Sequence, residues 1–451
     1  MPSLKSLVVV AIAWDFSIAV FGMLFSPGFQ GLTGPLSLPD SLLRFFYQYE
    51  AMFFHALAIP FIAALVYATV GILGTRGKLA EVVVAAITLG YVISSLSALY
   101  ILFKGADTMA FETLWVGLTL GVLAALGLLL TTWPRREPGQ AAMNLRGRNL
   151  ASLCVWVSIL GVLSAVAVGA YASMGDSMWG GTATIPSMGL IAATHQHVII
   201  TIIDAALVAL IVKEFRADLY AGIPGTFVKI GLYGTLLGVP TTAISAYATV
   251  PYGIAAHNSI IAFAGILLQA SLFVFYAVAY VEAKRFGHRL LSGVVANMMT
   301  FGMLFILFWV NVVVTLPGIY VAFNLHNFQG LPNEQAFITG HTHVLITLTA
   351  LTLLMLLAHF YGVKGRLGLV GGLLMTAGYL VSSAATIFYI FMDWNPTTSV
   401  YIPYIGAGIS LIAIGVVVTV AAIGLSRRNP IGEGEIEGSD AGPRGGEQGV
   451  R

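Results

Sequence analysis

Charged residues are scarce in this sequence: they make up 9% of its 451 residues, whereas soluble proteins carry about 25%. Cysteine is nearly absent, because only Cys154 occurs, and this excludes a disulfide framework and a thiolate cluster. Hydrophobic residues instead make up 58% of the chain. This composition excludes a soluble globular domain and favours a polytopic membrane protein surrounded by lipid. The net charge of +2 gives no indication of nucleic-acid binding.

Apolar runs separated by short polar segments repeat along most of the chain. Most of them are long enough to cross a hydrocarbon core about 30 Å thick as a helix. We therefore predict an all-α fold with twelve transmembrane helices. The runs cover roughly residues 5–26, 43–73, 79–103, 109–132, 150–174, 186–212, 226–249, 252–282, 291–322, 335–361, 367–392 and 399–425.

The distribution of basic residues predicts the orientation. With a cytoplasmic N-terminus, the outer loops carry only Arg44 and Lys104. This asymmetry is what the positive-inside rule expects, so we predict a plasma (inner) membrane protein with both termini in the cytoplasm. We expect one membrane domain over 1–426 and a disordered, glycine-rich tail over 427–451. The inner loops carry Arg76, Lys78, Arg135, Arg136, Arg146, Arg148, Lys213, Arg216, Lys229, Lys284, Arg285, Arg289, Lys364, Arg366, Arg427 and Arg428.

Five of the nine histidines fall in three apolar runs that all pass from the outside to the inside. His55 lies in the second run, His195 and His197 in the sixth, and His341 and His343 in the tenth. Each follows the start of its run by about 6 to 12 residues, which places it roughly 10–20 Å below the outer surface. The sequence therefore predicts that these five imidazoles share one depth in the membrane.

An internal repeat accompanies these histidines. HQHVIIT (195–201) and HTHVLIT (341–347) agree at His, His, Val, Ile and Thr. His55, His197 and His343 are separated by 142 and 146 residues, with four runs in each interval. This spacing favours three four-helix units around a pseudo-threefold axis. The alternative is convergence, because valine, isoleucine and threonine are common in membrane helices.

The His-x-His spacing restricts what the two side chains can bind. Successive residues of a helix are rotated by about 100°, so residues two apart point about 200° from each other. Such a pair cannot chelate one metal between its members, but it can serve two centres on opposite sides of the helix. A buried imidazole needs a partner, and an axial bond to haem iron supplies one. The alternatives are a hydrogen-bonded histidine in a polar crevice and a proton relay in a transporter.

The ninth and tenth runs, VNVVVTLPGIYVAFNL and FITGHTHVLITLTALTLLMLLA, carry a family resemblance. They resemble the haem–copper oxidase superfamily, whose tenth helix carries an HxH pair, and the nitric oxide reductase branch and the C-family oxidases are nearest. The resemblance extends over the twelve runs through the histidines of the second, sixth and tenth. It implies a respiratory membrane oxidoreductase that passes electrons from a low-spin to a high-spin haem and reduces NO or O2. Quinol, a cytochrome c or a partner subunit would donate the electrons.

The resemblance also implies the ligands, position by position. His343 and His55 would ligate a low-spin haem, and His341 would be the proximal ligand of a high-spin haem, both haems being b-type. His195 or His197 would bind copper or non-haem iron beside the high-spin haem, and spacing does not choose between them. His257 lies at a shallower depth, which makes it the weaker candidate for this second metal.

The seventh run departs from the family pattern. The family has a His–His pair there, whereas this chain has Thr241, Thr242, Ala243 and Ile244 in the corresponding stretch. Copper of this kind takes about three imidazoles, so a second metal site is incomplete. Two alternative functions follow: a di-haem electron-transfer or gas-binding cytochrome without that metal, and a haem-free proton-coupled transporter.

Three further polar residues are candidates for handling protons near the histidines. Glu50 precedes His55 by five residues, and Asp204 follows His197 by seven, on the same helical face. Tyr247 resembles the seventh-helix tyrosine of the C-family oxidases. Ionisable residues inside membrane segments are expensive to bury and usually functional.

Overall fold

The structure is a computed structural model, and it describes most of the chain. The described residues are 3–24, 50–105, 107–134, 144–145, 148–175, 188–253, 258, 265, 270–285, 290–324, 334–393, 395 and 398–426.

Long helices dominate the described residues. Those of the first half are α1 (Leu4–Leu24), α2 (Glu50–Ile72), α3 (Lys78–Lys104), α4 (Thr108–Thr131), α5 (Leu150–Gly175), α6 (Met188–Glu214) and α7 (Gly222–Tyr252). Those of the second half are α8 (Ser271–Arg285), α9 (Leu290–Ala296), α10 (Met298–Val310), α11 (Leu316–Phe323), α12 (Glu334–Phe360), α13 (Gly365–Met392) and α14 (Ile402–Leu425). The two strands found in this part of the chain, β1 (Asn144–Leu145) and β2 (Arg148–Asn149), form a short antiparallel hairpin before α5.

Eleven segments among the described residues are long and apolar enough to cross a membrane. They correspond to all the predicted runs except the eighth. An all-α, polytopic membrane fold is therefore confirmed at this level. Of the eighth run, 252–282, the structure describes only part, chiefly residues 271–282 of α8, so the twelfth span stays a prediction. The tail over 427–451 lies outside the described residues.

The ninth predicted run is interrupted where the sequence suggests one continuous helix. A π-helical turn, Asn311–Thr315, separates α10 from α11. Pro317 stands in the first turn of α11 and has no amide hydrogen to donate to the carbonyl four residues earlier, which lies in the π-helical turn. π-Helix occurs mostly as single-turn insertions of this kind within α-helices.

Glycines allow two pairs of sequential helices to pack backbone against backbone. A Cβ added at Gly117 of α4 would lie 2.5 Å from the amide nitrogen of Ser94 and 2.9 Å from the carbonyl of Gly90, both in α3. Gly378 of α13 and Gly408 of α14 approach each other in the same way. Close approach at small residues is a main source of helix association where lipid replaces water.

The helix that carries the tenth-run histidines lies near the centre of the protein. In its apolar window 67% of the residues are buried inside the structure, as in α2, whereas the value for α1 is 22%. Leu353, Leu354, Met355, Leu356, Leu357 and Ala358 are all at most 3% exposed. The HxH sequence of α12 therefore stands on an enclosed helix and not on one that faces lipid along its length.

Candidate functional site

The three helices that carry the five histidines pack against one another. Helices α6 and α12 are in contact, and α2 contacts both of them. These helices are not consecutive in the chain, so only the tertiary fold brings them together. This arrangement brings the predicted ligands of the second, sixth and tenth runs into one part of the protein.

Two polar contacts define how α6 and α12 are aligned. The hydroxyl of Thr349 lies 2.8 Å from Asp204 Oδ1, and His359 Nε2 lies 3.8 Å from Glu214 Oε1. Both contacts join residues 145 positions apart, so the helices run parallel with a constant offset. In this register residue 195 lies level with 340 and residue 197 with 342. The two HxH sequences therefore lie at one level, as the sequence predicts.

Helix α2 adds its histidine at the same level. The ring of Phe54 lies 6.0 Å from the ring of His343, with an angle of 58° between their planes. His55 is half-buried and close enough to His195 for the two imidazoles to interact electrostatically. The side chain of His343 is exposed and not enclosed by neighbouring residues. We call the five positions 55, 195, 197, 341 and 343 the histidine layer; the backbone of His341 is helical, and its side chain lies outside the described residues.

His195 is the histidine whose orientation the structure explains best. Its Nδ1 lies 2.7 Å from the carbonyl oxygen of Ala165 in α5. The ring lies against Gly169, where an added Cβ would come within 2.4 Å of it. An Nδ1–H bond to a carbonyl sets the tautomer and leaves Nε2 as the nitrogen able to bind a metal, which is the arrangement common in metal-ligating histidines. Sequence spacing left His195 and His197 equivalent; this bond favours His195.

A polar contact below the histidine layer involves Asp204. The hydroxyl of Thr349 lies 2.8 Å from Asp204 Oδ1 and also 2.8 Å from the carbonyl of Leu345. A hydroxyl has one hydrogen, so it donates to one of these acceptors at a time. When Thr349 donates to Leu345, only a protonated Asp204 can hydrogen-bond to it. The charge of Asp204 and the direction of this bond are therefore linked.

Tyr379 of α13 supports α12 next to His343. Its side chain is 1% exposed, and its hydroxyl donates to the carbonyl of Val344 at 3.3 Å. Tyr379 is also close enough to Asp204 to interact with it electrostatically. The sequence offered no signal for this residue, because a tyrosine in an apolar helix is ordinary.

The remaining predicted residues are placed as follows. Tyr247 is 48% exposed, and its hydroxyl donates to the carbonyl of Ser164 at 3.2 Å; Ser164 immediately precedes the residue that binds His195. The side chain of Glu50 at the start of α2 lies outside the described residues, as do His257 and Arg44 entirely. Lys104 is exposed at the end of α3.

The seventh run offers no ligands for a second metal. Helix α7 is continuous through this stretch. Thr241 is half-buried, and its hydroxyl donates to the carbonyl of Leu237 in its own helix at 2.7 Å. The hydroxyl of the buried Thr242 donates to the carbonyl of Gly238 in the same helix, also at 2.7 Å. Within the part of the chain that the structure describes, no three histidine, cysteine, aspartate or glutamate side chains form a group suited to a metal ion.

The donor set of the histidine layer fits haem better than it fits a chelated metal ion. Haem iron needs one or two axial imidazoles, because the porphyrin supplies four nitrogens. Adjoining helices α2 and α12 offer imidazoles at one level, and His343 is exposed beside an aromatic ring. A copper site of three imidazoles finds no matching group among the described residues, whereas axial ligation of a haem would need only one or two of the imidazoles present.

Comparisons of the chain with protein-family models, with curated proteins and with solved structures found no match.

Proposed function

We propose that this protein is the haem-binding subunit of a respiratory membrane oxidoreductase, similar to the haem–copper oxidase superfamily and nearest to its nitric oxide reductase branch and C-family oxidases. The observation that carries the proposal is the histidine layer, in which three separate, mutually packed helices present imidazoles at one level. Imidazole is a common axial ligand of haem iron. A haem held between helices needs such ligands at one level of the helix bundle.

Three histidines of the layer have a defined role in this proposal. His55 of α2 and His343 of α12 would hold a low-spin haem, and His341 of α12 would hold a high-spin haem. Haem iron supplies reversible one-electron transfer and, at the high-spin site, binding of NO or O2. Since residues two apart on a helix project about 200° from each other, the two positions of the HxH sequence would serve haems on different sides of α12.

The chain's own groups orient this helix and hold protons near it. Tyr379 binds the carbonyl next to His343, and Thr349 links α12 to Asp204 on α6. We propose Asp204 as a group that holds a proton below the layer, since its protonation is linked to the donor direction of Thr349. Glu50, at the opposite end, would face protons arriving from outside.

The finer features of the architecture belong to the same proposal. These are twelve spans in three four-helix units around a pseudo-threefold axis, both termini in the cytoplasm of a plasma-membrane protein, and b-type haems. The electron donor would be quinol, a cytochrome c or a partner subunit. The constant offset of 145 residues between α6 and α12 supports the repeat, because the two HxH sequences are offset by 146.

A second candidate function is a di-haem electron-transfer or gas-binding cytochrome that lacks the second metal. The observation that favours it is α7, where the hydroxyls of Thr241 and Thr242 both bond to carbonyls of their own helix. With His195 alone oriented as a ligand, copper would have too few imidazoles. The two haem roles are unchanged in this candidate.

Haem content tests both candidates. Purified protein, expressed with an ample supply of porphyrin precursor, is expected to contain about two haems per chain in the pyridine haemochrome assay. A value near zero would contradict both candidates and favour the haem-free, proton-coupled transporter. The assay depends only on iron porphyrin and is therefore independent of any assumed substrate.

Metal analysis separates the two candidates. Copper, or iron in excess of haem, at about one atom per chain is expected for the reductase. Haem iron alone is expected for the di-haem cytochrome. His195→Ala is the matched variant, because it should abolish any additional metal and leave the haem content unchanged.

A further inference from the structure

Helix α2 contains a proline one turn after its histidine. Pro60 lies inside the helix and has no amide hydrogen, so the carbonyl four residues earlier loses its normal helical donor. That carbonyl belongs to Ala56, the residue next to His55. A backbone carbonyl without a donor is costly in an apolar environment, and its position is not fixed by the helix itself.

A side chain from α3 supplies the missing donor. The hydroxyl of Ser95 donates to the carbonyl of Ala56 at 2.9 Å. Ser95 and Ala56 are both 0% exposed. The contact joins residues 39 positions apart, so it links two neighbouring helices at the turn of α2 that lacks a helical hydrogen bond.

A third helix completes the arrangement. Trp14 of α1 donates its Nε1–H to the oxygen of Ser95 at 2.9 Å. Because the Ser95 hydroxyl gives its one hydrogen to the carbonyl of Ala56, it can only accept from Trp14. The two bonds therefore form a series of donors and acceptors from Trp14 through Ser95 to Ala56. Bonds in such a series polarise and strengthen one another.

The surroundings of this arrangement are apolar and closely packed. Met52, Phe53 and Ala56 of α2 belong to one buried cluster with residues of α1, α3 and α4, against which Trp14 packs. The backbone around His55 therefore contacts α1 and α3 through an apolar, largely buried cluster, on the side of α2 that those helices cover.

We propose that Trp14 and Ser95 are positioning residues, which hold the carbonyl released by Pro60 and thereby fix the turn of α2 that presents His55. We call this pair and its bonds the Ser95 brace. The role of the brace in positioning His55 as a ligand rests on the proposed function. The two hydrogen bonds that hold the Ala56 carbonyl do not depend on it. Its purpose would be to resist rotation of the α2 turn when the imidazole is bound axially.

The test compares Ser95→Ala, Ser95→Thr and Trp14→Phe with the control Ser94→Ala. Ser94 is a good control because it adjoins Ser95, is equally buried, and bonds only within α3, to the carbonyls of Gly90 and Tyr91. Hydrogen–deuterium exchange of residues 52–60 in detergent micelles reports the backbone without any cofactor. The optical and paramagnetic resonance spectra of the low-spin haem report the geometry at His55.

Exchange in 52–60 should rise on the order of two- to tenfold in Ser95→Ala, the range that corresponds to loss of one hydrogen bond. Ser95→Thr should retain the wild-type rate, Trp14→Phe should show a smaller rise, and Ser94→Ala should show none. The low-spin haem spectrum should change in Ser95→Ala while the high-spin spectrum does not. If Ser95→Ala does not fold, Trp14→Phe serves as the informative variant.

Other results would overturn the inference. Wild-type exchange rates in both Ser95→Ala and Trp14→Phe would show that the brace does not hold α2. Faster exchange with an unchanged low-spin spectrum would show that the brace does not position His55. A wild-type protein without haem would contradict the proposed function alone, and the exchange rates would still decide whether the brace exists.

Discussion

His343→Ala is expected to abolish the low-spin haem signal and to lower the pyridine haemochrome absorbance by about half. His343 is exposed beside Phe54 of α2 and level with the α6 pair, so its replacement would remove the proposed axial ligand without removing a core side chain. His341→Ala is expected to do the converse, with loss of the high-spin signal alone. Optical and paramagnetic resonance spectra of the purified variants distinguish the two cases.

The matched control is His359→Gln, on the same helix about 24 Å from His343. His359 bonds to Thr300 at 3.0 Å and stacks on Phe215 with 4.3 Å between ring centroids. Glutamine keeps hydrogen-bonding groups at this position, so both haem signals should persist. If either HxH variant lost both haems while remaining folded, the assignment of one haem to each histidine would be wrong.

Gly117→Ala is expected to lower the free energy of unfolding by about 1–3 kcal/mol, the usual effect of overpacking a close contact. The added Cβ would lie 2.5 Å from the amide nitrogen of Ser94 and 2.8 Å from its Cβ. The first of these atoms belongs to the backbone and cannot rotate away, so α3 and α4 must separate. The apparent melting temperature in detergent measures the effect.

Gly121→Ala is the control for this prediction. Gly121 lies one turn further along α4, and a Cβ added there would meet nothing within 4 Å. Alanine also has the higher helix propensity, so Gly121→Ala should leave the melting temperature unchanged or raise it slightly. Equal melting temperatures for the two variants would show that α3 and α4 are not held in close contact at Gly117.

Hydrophobicity and periodicity predicted much of the fold because they act locally. A run of about twenty apolar residues specifies a spanning helix regardless of its neighbours, and eleven such runs are found as helices within the described part of the chain. The interruption at Asn311–Thr315 was not predicted, although Pro317 marks its place. Proline predicts that a helix is disturbed, but whether the result is a kink, a break or a π-helical turn depends on the neighbouring helices.

The common level of the HxH pairs followed from counting residues, because the rise per residue of a helix is constant. The residues that bind or orient the histidine-bearing turns from other helices could not be found by counting. Ala165 and Gly169 orient His195, Ser95 binds the carbonyl beside His55, and Tyr379 binds the one beside His343. Each lies on another helix, and nothing in its own sequence context distinguishes it from an ordinary residue of a membrane span.

The amino-acid sequence by itself determined that this is a membrane protein of many helices, and it placed two HxH sequences at equal depth. These properties depend on composition and on distance along one helix. The tertiary structure decided that α2, α6 and α12 adjoin, that His195 is oriented by α5, and that Ser95 compensates for Pro60. Those outcomes depend on how each helix is rotated about its axis and on which helix packs beside it, and a uniformly apolar sequence specifies neither.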